Sequence, residues 1–186
     1  MHLLIAGLLL WAAVHFSIRL LPAPRQRLID TLGKWPYQGL FSLLMVGAIV
    51  LLAQGWQQMG AGQALWLFDW ARPISLVLMA LAACLFVAAN APTDIKQFLR
   101  HPQLLSVVVW SVAHLLVNSD PRSLLLFGGL ALWALAEIPL INAHAGDWVK
   151  PAPVGAGKTA VSAVIGLAVF AALLYGHPWL AGVALL

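Results

Sequence analysis

Six apolar stretches alternate along the chain with short segments rich in proline, glycine or charge. They fall at about residues 2–21, 37–56, 72–91, 101–118, 121–142 and 159–183. About twenty residues at a helical rise of about 1.5 Å cover the roughly 30 Å of a bilayer's hydrocarbon core. The pattern therefore predicts an all-α polytopic transmembrane bundle of about six helices, forming a single domain over residues 1–186. The stop signals agree. Pro22-Ala23-Pro24 follows the first run, and Asp120-Pro121 opens the fifth, with proline where its missing N–H costs nothing. The basic stretch from Arg25 to Lys34 reads as an interfacial turn. Trp66 and Trp70, in the loop before the third run, suit the headgroup level.

Composition strengthens the membrane assignment. Hydrophobic residues make up 62% of the 186 and charged residues 9%, against roughly 25% charged in soluble domains. Lipid is thus the expected solvent and main partner. The formal charge of +4 does not indicate nucleic acid, because the basic residues are spread over connecting loops. Their distribution reads instead as a topology signal. The loops after the first, third and fifth runs hold Arg19, Arg25, Arg27, Lys34, Lys96, Arg100, Lys150 and Lys158, while the other two hold only Arg72 and Arg122. The positive-inside rule places the first set in the cytoplasm and both termini outside. The first run lacks a basic leader and a cleavage signal, so it reads as a retained helix. Cys84 is the single cysteine and no disulfide framework exists. In the third run, Ala80, Cys84 and Ala88 form a small-residue ribbon suited to close helix packing.

Ionisable residues inside lipid are costly, and each is a functional candidate. His15 and His114 lie within apolar runs, each with a tryptophan at i−4, Trp11 and Trp110, and a polar residue at i+4, Arg19 and Asn118. Residues four apart share a helix face, so each histidine belongs to a stripe expected to face the interior. Trp11, His15 and Pro22 are spaced like Trp110, His114 and Pro121, a faint echo that would relate runs 1–3 to runs 4–6 as inverted halves. Two interior imidazoles are suitable axial ligands for haem iron. Arg19 and Arg100 would then pair with propionates, and the tryptophans would flank the macrocycle. If the first and fourth runs are antiparallel, the two histidines are offset by roughly 10 Å along the bundle axis, which helix tilt and side-chain reach would have to absorb. The alternative is a pair of hydrogen-bonded packing histidines. Zinc has no third or fourth ligand nearby. His101, in Arg100-His101-Pro102, is either a helix cap or a contact to an anionic group. Glu137 needs a partner, either a histidine, Arg19 or a local hydrogen bond. His144 and His177 lie near helix ends. Gly155-Ala156-Gly157-Lys158-Thr159 resembles the end of a phosphate-binding loop but lacks the earlier glycine and the preceding strand.

Three segments carry a family resemblance: Phe98 to Gln103, Trp110 to Asp120, and Leu126-Phe127-Gly128-Gly129. There the sequence resembles the NnrU family of bacterial inner-membrane proteins, linked by name to nitrite and nitric oxide reductase metabolism. That family is similar to 15-cis-ζ-carotene isomerase, a haem b membrane enzyme active with ferrous iron. The resemblance implies haem b held by His15 and His114, and a redox-gated isomerase or oxidoreductase acting on a hydrophobic molecule. In the isomerase a cysteine three residues before the second histidine is proposed to exchange as a ligand. Here that position is Ser111, which cannot supply a thiolate. A non-enzymatic haem or nitric oxide sensor, or an accessory factor for denitrification enzymes, is the alternative. Arg100-His101-Pro102 also resembles a triplet of membrane methyltransferases, but the tyrosine and acidic pair of that pattern are missing. A small transporter or plain scaffold is the remaining class. Substrate, redox partner and oligomeric state are not specified by the sequence.

Overall fold

The computed structural model describes residues 1–185. Every regular element among them is helical. The helices are α1 (His2–Leu20), α2 (Pro22–Leu32), α3 (Lys34–Gln58), α4 (Ala71–Asn90), α5 (Pro102–Val117), α6 (Pro121–Ala145) and α7 (Ala156–Ala181), with a 3₁₀ turn at Asp94–Gln97. Helix α6 widens into a π-helical stretch at Leu124–Gly128. Five helices, α1, α3, α4, α6 and α7, are long and apolar enough to cross a membrane. The sixth expected span, α5, is apolar but has only 16 residues, about 24 Å at helical rise. Pro102 fixes its start, and the polar Asn118-Ser119-Asp120 ends it before Pro121 starts the next helix.

The segment from Arg25 to Lys34, expected as a turn, is mostly helix. The first helix stops before Pro22 as expected, and Pro22 and Pro24 then fall in the first turn of α2. First-turn residues have no intrahelical partner for an N–H, so proline is tolerated there. Gly33, at φ 88°, separates α2 from α3. No residue of α2 is buried.

The chain forms two compact units interleaved in sequence. One contains residues 1–66 and 118–145; the other contains residues 67–117 and the chain from Gly146 onward. The helices therefore do not group as the first three spans and the last three. The first unit comprises α1, α2, α3 and α6, and the second comprises α4, α5, α7 and the 3₁₀ turn.

In the first unit α1 lies against α3 by backbone approach. A Cβ on Gly55 would stand 2.3 Å from the amide nitrogen of Leu4 and 2.6 Å from its Cα, so only glycine fits. Leu4 is wholly buried at this crossing. The start of α6 is fixed by Asp120. Its carboxylate accepts the Arg122 and Ser123 amides at 3.2 Å each and the Ser123 hydroxyl at 2.5 Å. Ser119 bonds the backbone of Trp66, anchoring the long loop after α3. The Arg122 guanidinium sits 4.0 Å above the Trp56 ring.

In the second unit the expected small-residue ribbon of α4 is a packing face. A Cβ on Gly166 of α7 would fall 2.6 Å from the Cα of Cys84, and Ala88 is wholly buried. Ser75 of α4 donates to the Ala113 carbonyl of α5 at 2.8 Å. Asp94 explains the sequence around Gly155. Its carboxylate accepts the Val154 amide at 2.6 Å and the Gly155 amide at 3.1 Å, and its own amide donates to the Thr159 hydroxyl at 2.9 Å. The N-terminus of α7 thus holds an anion of the protein itself.

Outward faces are apolar: Leu43, Val77, Leu132 and Val164 are each at least 65% exposed. Lipid has no hydrophobic preference for one helix surface over another, so close packing and hydrogen bonds must hold such helices together. Gly55→Ala should therefore destabilise the protein by about 1–3 kcal/mol. Gly47→Ala, on the same helix with no atom within 4 Å of the added Cβ, should be neutral or gain up to about 1 kcal/mol of helix propensity. Thermal unfolding of the two variants in one detergent checks this contrast.

Candidate functional site

Helix α1 presents Trp11, His15 and Arg19 at successive turns. The His15 ring bonds the Trp11 carbonyl through Nδ1 at 2.9 Å. A carbonyl only accepts, so Nδ1 carries the proton, and in the neutral ring Nε2 carries the lone pair. Three aromatic rings enclose the imidazole. Trp11 and Trp133 stand at 4.7 Å centroid distance and Phe41 at 5.7 Å, the last two edge-on. Trp11 and Trp133 meet edge-on at 5.5 Å.

Helix α6 brings a second stripe to the same place. Glu137 lies one turn after Trp133, is buried, and is within electrostatic range of both His15 and Arg19. The two groups that the sequence offered as partners for Glu137, a histidine and Arg19, are thus both in its surroundings, without an ion pair to either. Three polar atoms of this group are buried without a hydrogen-bond partner: Trp11 Nε1, Trp133 Nε1 and Glu137 Oε2. An unpaired buried polar atom costs about 1–3 kcal/mol, so their concentration around one imidazole marks a place built for more than packing. The cluster offers two N–H donors, a carboxyl oxygen and a nitrogen lone pair.

In the second unit α5 repeats the local geometry. His114 bonds the Trp110 carbonyl through Nδ1 at 2.9 Å, with the two rings 4.8 Å apart. His114 too therefore carries its proton on Nδ1. Ser111, one turn earlier, is wholly buried, and its hydroxyl has no partner. Cys84 is committed to the contact with Gly166 and to the Ala163 carbonyl at 3.7 Å.

Arg100 and His101 do not join Trp110 and His114. They precede α5, whose thirteenth residue is His114, an axial separation of about 20 Å. Arg100 donates to the Gly146 carbonyl at 2.7 Å, while the His101 carbonyl accepts the Leu105 amide at 3.0 Å in the first turn of α5. Of the two arginines expected to pair with propionates, Arg19 alone lies one turn from a histidine.

His144 makes the same kind of bond to Leu140 at 2.8 Å, though exposed, and His177 bonds the Val183 carbonyl at 2.8 Å. The i−4 backbone bond is thus not special to His15 and His114. The aromatic enclosure and the neighbouring carboxyl set His15 apart. Trp133 and Phe41 are the members of this cluster that the sequence reading missed. A signal existed for Trp133, which stands four residues before the one acid of an apolar run. No group of three or more His, Cys, Asp or Glu converges among the described residues, so a zinc site made wholly of side chains is not formed there.

Apolar helices of spanning length, lipid-facing on their outer sides and carrying polar clusters inside, define a multi-pass membrane protein. The family model for NnrU protein matches residues 3–185, and the chain belongs to that family. No curated protein and no solved structure matches it.

The His15 enclosure distinguishes ring packing from indole hydrogen bonding. Trp133→Phe removes an N–H that has no partner but keeps a ring, and should change stability by no more than about 1.5 kcal/mol. Trp133→Ala should cost about 3–5 kcal/mol. Thermal unfolding in detergent separates the two outcomes.

Proposed function

We propose that this NnrU-family protein is an integral membrane haem protein of the bacterial inner membrane, with His15 and His114 as its imidazole ligands and a hydrophobic molecule as its substrate or effector. The observation that carries the reading is the enclosure of the His15 imidazole by Trp11, Trp133 and Phe41 beside the buried Glu137, with the Trp-xxx-His turn repeated at His114. In each case the tryptophan carbonyl holds Nδ1–H and leaves Nε2 with the lone pair. A histidine that ligates a metal is usually oriented this way, its other ring nitrogen donating to a carbonyl or carboxylate. The donor chemistry fits haem. Imidazole is a common axial ligand of its iron, the walls of His15 are aromatic, and Arg19 offers a cation one turn away. Bound haem supplies one-electron chemistry and, where a ligand leaves, an open coordination position.

The protein's own residues do the rest. The Trp11 and Trp110 carbonyls fix the ring tautomers. Trp11, Trp133 and Phe41 exclude water from one face of the site. Glu137 places a carboxyl where it sets the local charge. The distribution of basic residues over the loops supports periplasmic termini.

A second reading is supported by Ser111. A ligand exchange of the isomerase kind needs a thiolate at that position, and a buried serine hydroxyl does not provide one. This favours a haem-based sensor of nitric oxide, or an accessory factor for denitrification enzymes, over a redox-gated isomerase.

Protein purified from haem-replete cells should show a Soret band that shifts on reduction. His15→Ala and His114→Ala should each lose the band or convert it to that of a five-coordinate haem. A wild type that shows no band and takes up no haem on reconstitution overturns the reading, as do unchanged spectra in both variants. Nitric oxide binding without any turnover of a polyene or quinone selects the sensor or accessory role.

A further inference from the structure

At the junction of α1, α2 and the start of α3, the first unit has an open groove of about 150 Å³. Its walls are mainly Val14, Leu21, Leu28, Leu40, Phe41 and Leu44, with polar groups from Arg25, Ser17 and Tyr37. Arg25 is the one charged residue of the lining. Its guanidinium leans over the Tyr37 ring at 5.5 Å, its Nε is buried without a hydrogen-bond partner, and among the described residues the one ion pair is elsewhere, between Arg122 and Asp120. The acid of α2, Asp30, is five residues further along the helix and accepts from Gln26 at 2.8 Å. A fixed cation at the mouth of an apolar trough, in a protein solvated by lipid, lacks an anion that carries an apolar tail.

We propose that this groove seats one anionic phospholipid of the surrounding bilayer, its phosphate on Arg25 and the upper part of an acyl chain along Leu40, Phe41 and Leu44. The guanidinium fork matches a phosphate oxygen pair. The position agrees with the architecture. Helix α2 has no buried residue and exposes Leu28 and Leu32 together with Arg27, as expected of a helix lying in the headgroup layer. The volume holds the phosphate end and the first methylenes, leaving the remaining chain in the bilayer. Phe41 also packs against His15, so the seated chain lies one side chain away from the aromatic cluster. The assignment does not depend on haem.

The test uses the full-length protein, delipidated in detergent, with phosphatidylglycerol or phosphatidylcholine added and the retained lipid measured by native mass spectrometry. Wild type should hold one phosphatidylglycerol about tenfold more tightly than phosphatidylcholine, the size of effect expected for one charge-assisted contact. Arg25→Gln should remove that preference. Arg27→Gln, which changes a cation of the same helix outside the groove, should keep it. Leu40→Trp fills the trough without altering charge and should reduce retention of both lipids. Equal retention of the two lipids by wild type overturns the proposal, as does a preference that survives Arg25→Gln. Inorganic phosphate competing as well as the phospholipid overturns it too, because the acyl chain would then contribute nothing.

Discussion

A peptide group left unpaired in hydrocarbon costs several kcal/mol, and lipid offers no water to repair it. This constraint shapes the molecule. It allows helices as spanning elements and removes the hydrophobic drive that would press them together in water. What remains is surface fit and the few polar contacts that helices can share. The approach of Gly55 to the Leu4 backbone and of Gly166 to Cys84 supplies the first. The bond from Ser75 of α4 to the Ala113 carbonyl of α5 supplies the second. Where backbone leaves the helices, side chains satisfy it. Ser119 serves the loop at Trp66, and Asp94 serves the amides that open α7.

The same constraint makes the surroundings of His15 informative. Buried polar atoms without a partner occur singly elsewhere, at Arg25, Ser111, Arg122 and Ser162, but two indole N–H groups and a carboxyl oxygen belong to the cluster around one imidazole. The imidazole itself is oriented by a backbone carbonyl and keeps a lone pair. Such an arrangement costs stability unless something fills its valences, and this makes the cluster a functional candidate rather than a packing detail. Helix α6, which delivers Trp133 and Glu137, carries a π-helical stretch at Leu124–Gly128 and a proline at 139 within its spanning length. Both leave backbone groups outside the regular ladder, and π-helical turns often occur at functional sites.

The amphipathic α2 adds a different kind of environment. Leu28 and Leu32 are exposed together with Arg27, an arrangement suited to a place where apolar and charged solvents meet. It supplies one wall of the groove at Arg25. The polar cluster on α1 and the groove share Phe41, which packs against His15 and also lines the groove.

Hydrophobic runs bounded by Pro22, Asp120-Pro121 and the glycine-rich loops were enough to place six helices within a few residues, because span length and backbone satisfaction are local properties of the chain. The same local logic located His15 and His114 and their tryptophans, since i and i+4 share a face in any helix. It went wrong at Arg25–Lys34, expected as a turn, because prolines that end one helix can also occupy the first turn of the next. Which helices pack together was not local. The grouping of α6 with α1 and α3, and of α7 with α4 and α5, depends on where a missing Cβ lets two backbones meet, and glycine spacing alone does not say which neighbour will use it. Hence Trp133 and Phe41 stayed hidden until the tertiary structure brought them to His15. Arg100 and His101 were separated from His114 by the length of α5, a distance that a motif written on one line does not display.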